Sequence, residues 1–96
     1  MQRQGVLDRL SGHRAELTAL GVKSLALFGS VARDQASPDS DVDLLVTFDR
    51  PVGLFHFARV RRRLTEILGA PVDLVTEAAL RSEMRDQIIR QLVRAA

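Results

Sequence analysis

Residues 29–46 read GSVARDQASPDSDVDLLV, and this stretch decides how the chain is organised. It opens on Gly29-Ser30 at the end of an apolar run and crosses a polar loop that holds Pro38. It then enters a second apolar run through Asp41 and Asp43. A carboxylate drawn into an apolar strand is costly unless something positive compensates it. Alternation along a strand puts Asp41 and Asp43 on one face, with Leu45 and Thr47 beyond them, and turns Val42, Leu44, Val46 and Phe48 to the other. The spacing therefore predicts a strand over 41–48, with one face for a core and one face that presents two carboxylates.

Working upstream, Val6, Leu10, Leu17 and Leu20 recur at helical spacing with His13 in the same register. They predict one amphipathic helix over about 3–20, stopped by Gly21. Residues 24–28 read as a short buried strand ended by Gly29, followed by a helical turn at SVARDQ. Downstream, Pro51 and Gly53 interrupt the chain. Phe57, Val60, Leu64, Ile67 and Leu68 then form a helical stripe, with Arg59, Arg62, Arg63 and Glu66 on the other side. After the break GAP, the run VDLV at 72–75 makes a third strand, and a last helix is expected over 78–93, with Leu80, Met84, Ile88 and Leu92 at steps of four. The order αβαβαβα predicts a single α/β domain over residues 1–96, with helices covering a three-stranded sheet. Ile89 and Val93 widen the last helix's apolar arc, which fits either a well-buried helix or a surface for a homo- or hetero-oligomeric partner.

Composition narrows the function classes. The chain has no Cys, which excludes a disulfide framework, a Cys-ligated zinc site and a thiol nucleophile. There is no apolar run of the kind a signal peptide or a membrane span requires, so a soluble, cytoplasmic protein without membrane contact is expected. The formal net charge is +2, and the basic residues are all Arg except Lys23. With so modest a charge and with Phe as the sole aromatic type, composition argues against direct nucleic-acid binding.

The carboxylates carry the chemistry. Asp73 is flanked by Val72 and Leu74, so it opposes the core-facing set of its own strand. If the second and third strands are neighbours, Asp41, Asp43 and Asp73 converge on one face of the sheet. Close like charges resist joint ionisation, and a hard cation such as Mg²⁺ relieves them, commonly through one or two carboxylates and the phosphates of a substrate. The alternatives fail on their own residues. As an EF-hand loop the segment would need Gly at Leu44 and Glu at Arg50, and no P-loop, dinucleotide-binding or zincin motif is present. Gly29 allows a backbone to approach a ligand closely, and Ser30 with the amides after it suits an anion.

Gly-Ser, ten residues, Asp-x-Asp and a further strand Asp together resemble the signature of the DNA polymerase beta-like nucleotidyltransferase superfamily. The length and the PVDLV ending resemble the minimal nucleotidyltransferases, antitoxin-type partners of HEPN-domain toxins. The resemblance covers about residues 20–90. It implies the nucleotidyltransferase fold with a three-stranded mixed sheet, and two Mg²⁺ ions held by Asp41, Asp43 and Asp73. The resemblance also implies that Asp73 helps to deprotonate the attacking hydroxyl. It further implies ATP as the substrate, contacted by Gly29 and Ser30. The expected activity is transfer of AMP to a tyrosine hydroxyl of a HEPN-type RNase toxin. This chain has no Tyr, so the acceptor must lie in another molecule. One departure is visible, since Asp34 stands where the family often has Gly.

Other readings of these residues stay open. Ser30 also suits the cap of the turn that follows. Arg33 suits either a phosphate or a brace to Asp34 or Asp39, and Ser40 either the nucleotide or the ordering of its turn. His13 reads as a satisfied position on the apolar stripe, while His56 has no evident partner. Arg59 to Arg63 read as a solvated helix face, or else as a contact for an acidic partner or RNA. A binding module that neutralises its partner by contact alone is the alternative to catalysis.

Overall fold

The computed structural model describes residues 2–32, 41–76 and 93–94. Strands β1 (Val22–Phe28), β2 (Val42–Phe48) and β3 (Val72–Thr76) form the expected mixed sheet: β1 runs antiparallel to β2, and β2 runs parallel to β3. Parallel neighbours need a long crossover. Helix α4 (Leu54–Leu68) supplies it.

Helices α1 (Arg3–Ser11), α2 (Arg14–Ala19) and α4 contribute to a core on one face of the sheet, and the short helix α3 (Gly29–Ala32) adds Val31. Val42, Leu44 and Val46 lie in this core as their alternation predicts, with Leu25 and Leu27 from β1 and Leu74 from β3. Each Leu fully withdrawn from water contributes about 1.5–3 kcal/mol. Phe48 is half-buried against the core and makes edge-on contacts with Phe57 and His56, at centroid distances of 6.4 and 6.0 Å. Val22, three residues from Leu25, would face away from the core in a regular strand. An irregularity in the β1–β2 register between Val22 and Ser24 lets both residues point inward.

Several boundaries differ from the sequence pattern. The helix expected over 3–20 breaks at Gly12-His13, where His13 leaves helical geometry (φ −116°, ψ 18°). Gly is a poor helix former, and the His13 ring donates from Nδ1 to the Arg9 carbonyl at 2.9 Å, which satisfies the end of α1. His13 is thus the satisfied, half-exposed position that the sequence suggests, and Leu17 stays buried beyond the break. β1 begins at Val22 rather than Ser24.

The pattern of the last helix runs through Val93, yet Val93–Arg94 form a two-residue strand, β4, antiparallel to β1. The sheet order is β3-β2-β1-β4. A β-branched residue suits this place, and pairing satisfies the backbone groups on that side of β1. The remainder of the expected helix, with Met84, Ile88, Ile89 and Leu92, lies outside the described residues, and so does any interface on it.

Polar contacts tie the helices together. Gly69 ends α4 in the left-handed conformation (φ 65°), with its N–H bonded to the Thr65 carbonyl at 2.8 Å. Arg9 of α1 donates from Nη1 to the Leu68 carbonyl at 2.9 Å, placing a cation at the negative end of that helix. Between α2 and α4, Arg63 grips Glu16 with both Nε and Nη2, the latter at 3.0 Å. The bond from Arg63 holds the Glu16 carboxyl below its ordinary range, and the same contact raises the guanidinium. Among the described residues no helix is long and apolar enough to cross a membrane.

Candidate active site

The carboxyl end of β1 meets the amino ends of β2 and β3. Phe28 lies opposite Asp43, and Val42 lies beside Val72. The ladder between β2 and β3 opens with Val42 donating its N–H to the Pro71 carbonyl at 2.9 Å. The next pair in register is Asp43 beside Asp73. Directly paired residues of neighbouring strands present their side chains to the same face. These two carboxylates therefore stand next to each other on the face away from Val42, Leu44, Val72 and Leu74, all of which are buried. Asp43 is half-buried and Asp73 exposed. Leu45, between Ala26 and Val75 in register, is buried on this second face too.

Gly29 completes the corner. Its φ of 75° is a conformation that Gly adopts without strain, and it begins a helical turn directly after β1. A Cβ there would strike Oδ2 of Asp43, with Cγ at 3.1 Å and Cβ at 3.3 Å. The missing side chain is therefore what lets the Asp43 carboxylate lie against the turn. Gly29 and Asp43 are thus in direct packing contact.

The remaining expected residues separate into two groups. Asp41 is exposed and precedes β2 instead of opening it as a strand residue, because the first ladder bond forms at Val42. Among the described residues, no three acidic or His side chains stand close enough to hold a metal ion together. What β2 and β3 supply is the in-register pair Asp43–Asp73, with Asp41 two residues before Asp43. Ser30 lies in the turn α3, next to Gly29. Arg33 and Ser40 lie outside the described residues, as does Asp34.

The donor set fits a hard cation. It is made of carboxylate oxygens, with a side-chain-free corner beside one of them. Mg²⁺ usually keeps waters and phosphate oxygens in its other positions instead of occupying a cage made wholly of protein. Sequence reading missed the partner of His56: its Nε2 donates to the Leu20 carbonyl at 2.6 Å, fixing the start of α4 to the end of α2. No spacing rule links positions so far apart in the chain. The packing of Phe48 on His56 is likewise invisible until β2 and α4 are placed together.

The sequence profile described as "Nucleotidyltransferase domain" matches residues 9–95. The chain belongs to this nucleotidyltransferase family. It is 38% identical over 85 residues to the protein adenylyltransferase MntA of Thermococcus cleftensis, which covers 88% of this chain and 86% of that protein. A solved structure provisionally described as a minimal nucleotidyltransferase superposes with a TM-score of 0.83. It is 34% identical and covers 97% of this nucleotidyltransferase and 95% of its own chain. The fold also recurs in a solved complex of a tri-AMPylated Shewanella oneidensis HEPN toxin with an MNT antitoxin. That match has a TM-score of 0.60 and 17% identity, and covers 91% of this chain and 71% of that one. At that identity the likeness speaks to the fold alone.

Proposed function

We propose that this nucleotidyltransferase is an antitoxin that transfers AMP from ATP to a tyrosine hydroxyl of a HEPN-type toxin. The observation that carries the reading is the Asp43–Asp73 pair, side by side at the corner where the Asp43 carboxylate packs on Gly29. The relationship to a protein adenylyltransferase at 38% identity supports a protein as the acceptor. The lack of any Tyr in the chain places a tyrosine acceptor in a second molecule.

In the reaction, the acceptor oxygen attacks the α-phosphorus of ATP and the bond to the bridging oxygen of the β-phosphate breaks. Pyrophosphate leaves, and the hydroxyl proton passes to the carboxylate of Asp73. Asp41 and Asp43 would hold two Mg²⁺ ions, with Asp73 completing the site of one. Bound there, the metal neutralises phosphate charge and favours the ionised form of the attacking hydroxyl. Gly29 admits the triphosphate close to the backbone, and Ser30, Arg33 and Ser40 contact it. The rest of the rate comes from orientation, because a hydroxyl held in line with the leaving group avoids most of the entropic cost of a bimolecular step.

The test is the intact mass of a HEPN-type toxin, after incubation with the nucleotidyltransferase, ATP and Mg²⁺. Discrete AMP increments on the toxin are expected, and none with Asp41→Asn. A toxin neutralised stoichiometrically without ATP, at unchanged mass and equally well by Asp41→Asn, would replace catalysis with simple occlusion.

A further inference from the structure

Ala58, Arg61, Arg62 and Thr65 recur at helical spacing along α4 and, with Pro71 and Val72, line an open groove beside β3. The groove lies on the helix side of β3, the strand that carries Asp73 on its other face. Val72 precedes Asp73, and the Pro71 carbonyl accepts the N–H of Val42, the residue between Asp41 and Asp43. β3 is the outermost strand, so among the described residues its outer edge has no strand partner. Arg61 and Arg62 are both exposed, and neither has a carboxylate partner among the described residues. By contrast, Arg63, the next residue along, is held by Glu16 and lies near Glu66. Thr65 turns its hydroxyl inward to the Arg61 carbonyl at 3.0 Å, which leaves the two guanidinium groups as the groove's charged donors.

We propose that this groove docks an acidic, extended segment of the acceptor protein and so delivers its hydroxyl to Asp73. The choice of an acceptor protein rests on the AMP-transfer reading. The chemistry of the groove is independent of it. Two planar guanidinium groups on one groove can each match a carboxylate in a bidentate manner. A free strand edge accepts an extended backbone, and alternate side chains then fall on the helix side. Ala58, Pro71 and Val72 offer small apolar contacts between the charges. Single-stranded RNA is the less suitable occupant: no aromatic side chain is among these lining residues to stack on a base, and the chain carries a formal net charge of only +2.

The experiment uses a fluorescein-labelled peptide of Glu and Ser around one Tyr, with a counterpart in which Lys replaces Glu. Fluorescence anisotropy at low ionic strength measures binding to the full chain. The acidic peptide is expected to bind, and the basic one not. Charge reversal by Arg61→Glu with Arg62→Glu should weaken the acidic peptide by roughly tenfold or more, whereas Lys23→Glu, at the far end of β1, should leave it unchanged. Magnesium–ATP affinity should be equal in all three proteins. With the natural acceptor, the double variant should raise the KM for acceptor and spare kcat at saturation. Absence of acidic-peptide binding, or equal binding by the double variant, overturns the proposal. An RNA oligonucleotide that binds more tightly than the peptide and is lost in the same variant overturns it in favour of nucleic acid. If the peptide binds through the arginines but no nucleotide binds at all, the groove stands and the AMP-transfer reading falls.

Discussion

Replacing Gly29 with Ala separates a backbone effect from a collision at the active site, because Gly69 provides a matched control. Both glycines have positive φ, 75° and 65°. Alanine in that region costs about 1–2 kcal/mol in either place. Among the described residues, a new Cβ at Gly69 meets only Arg9 Nη1, at 3.5 Å, an ordinary contact. At Gly29 it runs into Oδ2 of Asp43, with Cγ at 3.1 Å. If Asp43 holds its place, overpacking adds about 1–3 kcal/mol. One kcal/mol moves the Tm of a domain this small by roughly 4–8 °C, so the further loss is resolvable by calorimetry. If the carboxylate swings away instead, stability falls only as in Gly69→Ala, but the proposed metal ligand is displaced and magnesium–ATP affinity should drop. Thermal unfolding and isothermal titration on both variants therefore cover both outcomes. A Gly29→Ala protein that melts with Gly69→Ala and binds magnesium–ATP like the parent would refute the packing of Asp43 on this turn.

Asp43→Asn should remove magnesium-dependent ATP binding in isothermal titration while the circular dichroism spectrum is kept. Losing even an indirect hydrogen-bonding partner of a metal ligand costs about 10–100-fold in affinity, and a direct ligand should cost more. Leu64→Ala, which empties a fully buried position of α4, should destabilise the domain by about 2–5 kcal/mol in urea unfolding. Acidification should expose the Glu16–Arg63 bond. The folded carboxyl titrates below the unfolded one, so its contribution is complete above the unfolded pKa and disappears as pH falls through the folded value. Glu16→Gln should thus lose less Tm than the parent protein over that acidic window. His56→Ala removes the donor to the Leu20 carbonyl, and hydrogen exchange should show faster opening where α2 meets β1.

The elements that carry the site were legible because each has a short-range signature. β2 announces itself by an alternation from Val42 to Phe48 that only Leu45 breaks, and Asp73 by its place between Val72 and Leu74. The Gly29 turn is marked by an apolar strand stopping at a residue without a side chain. What the pattern could not reach depends on pairing. That Asp43 sits beside Asp73, while Asp41 lies before the first ladder bond, follows from the β2–β3 register, and no periodicity encodes a register between strands. The break at Gly12-His13 is set by a side chain competing for a backbone carbonyl, which leaves the apolar spacing of Val6, Leu10 and Leu17 intact. β4 is too short to show alternation, and it exists because β1 offers it an edge. The groove beside α4 was half visible, as an arginine-rich helix face. Its partition into one arginine held by Glu16 and two open ones needed the position of α2.

Asp43 and Asp73 are proposed to hold together the metal of a bound nucleotide, next to Gly29. Crystals grown with Mn²⁺ and a non-hydrolysable ATP analogue test it most directly, because manganese gives an anomalous signal and replaces magnesium on oxygen ligands. The account predicts an anomalous peak in contact with both carboxylates and the triphosphate lying against the Gly29 turn, both absent from crystals of Asp43→Asn. A nucleotide bound elsewhere on the chain, or a manganese peak that touches neither carboxylate, would contradict it.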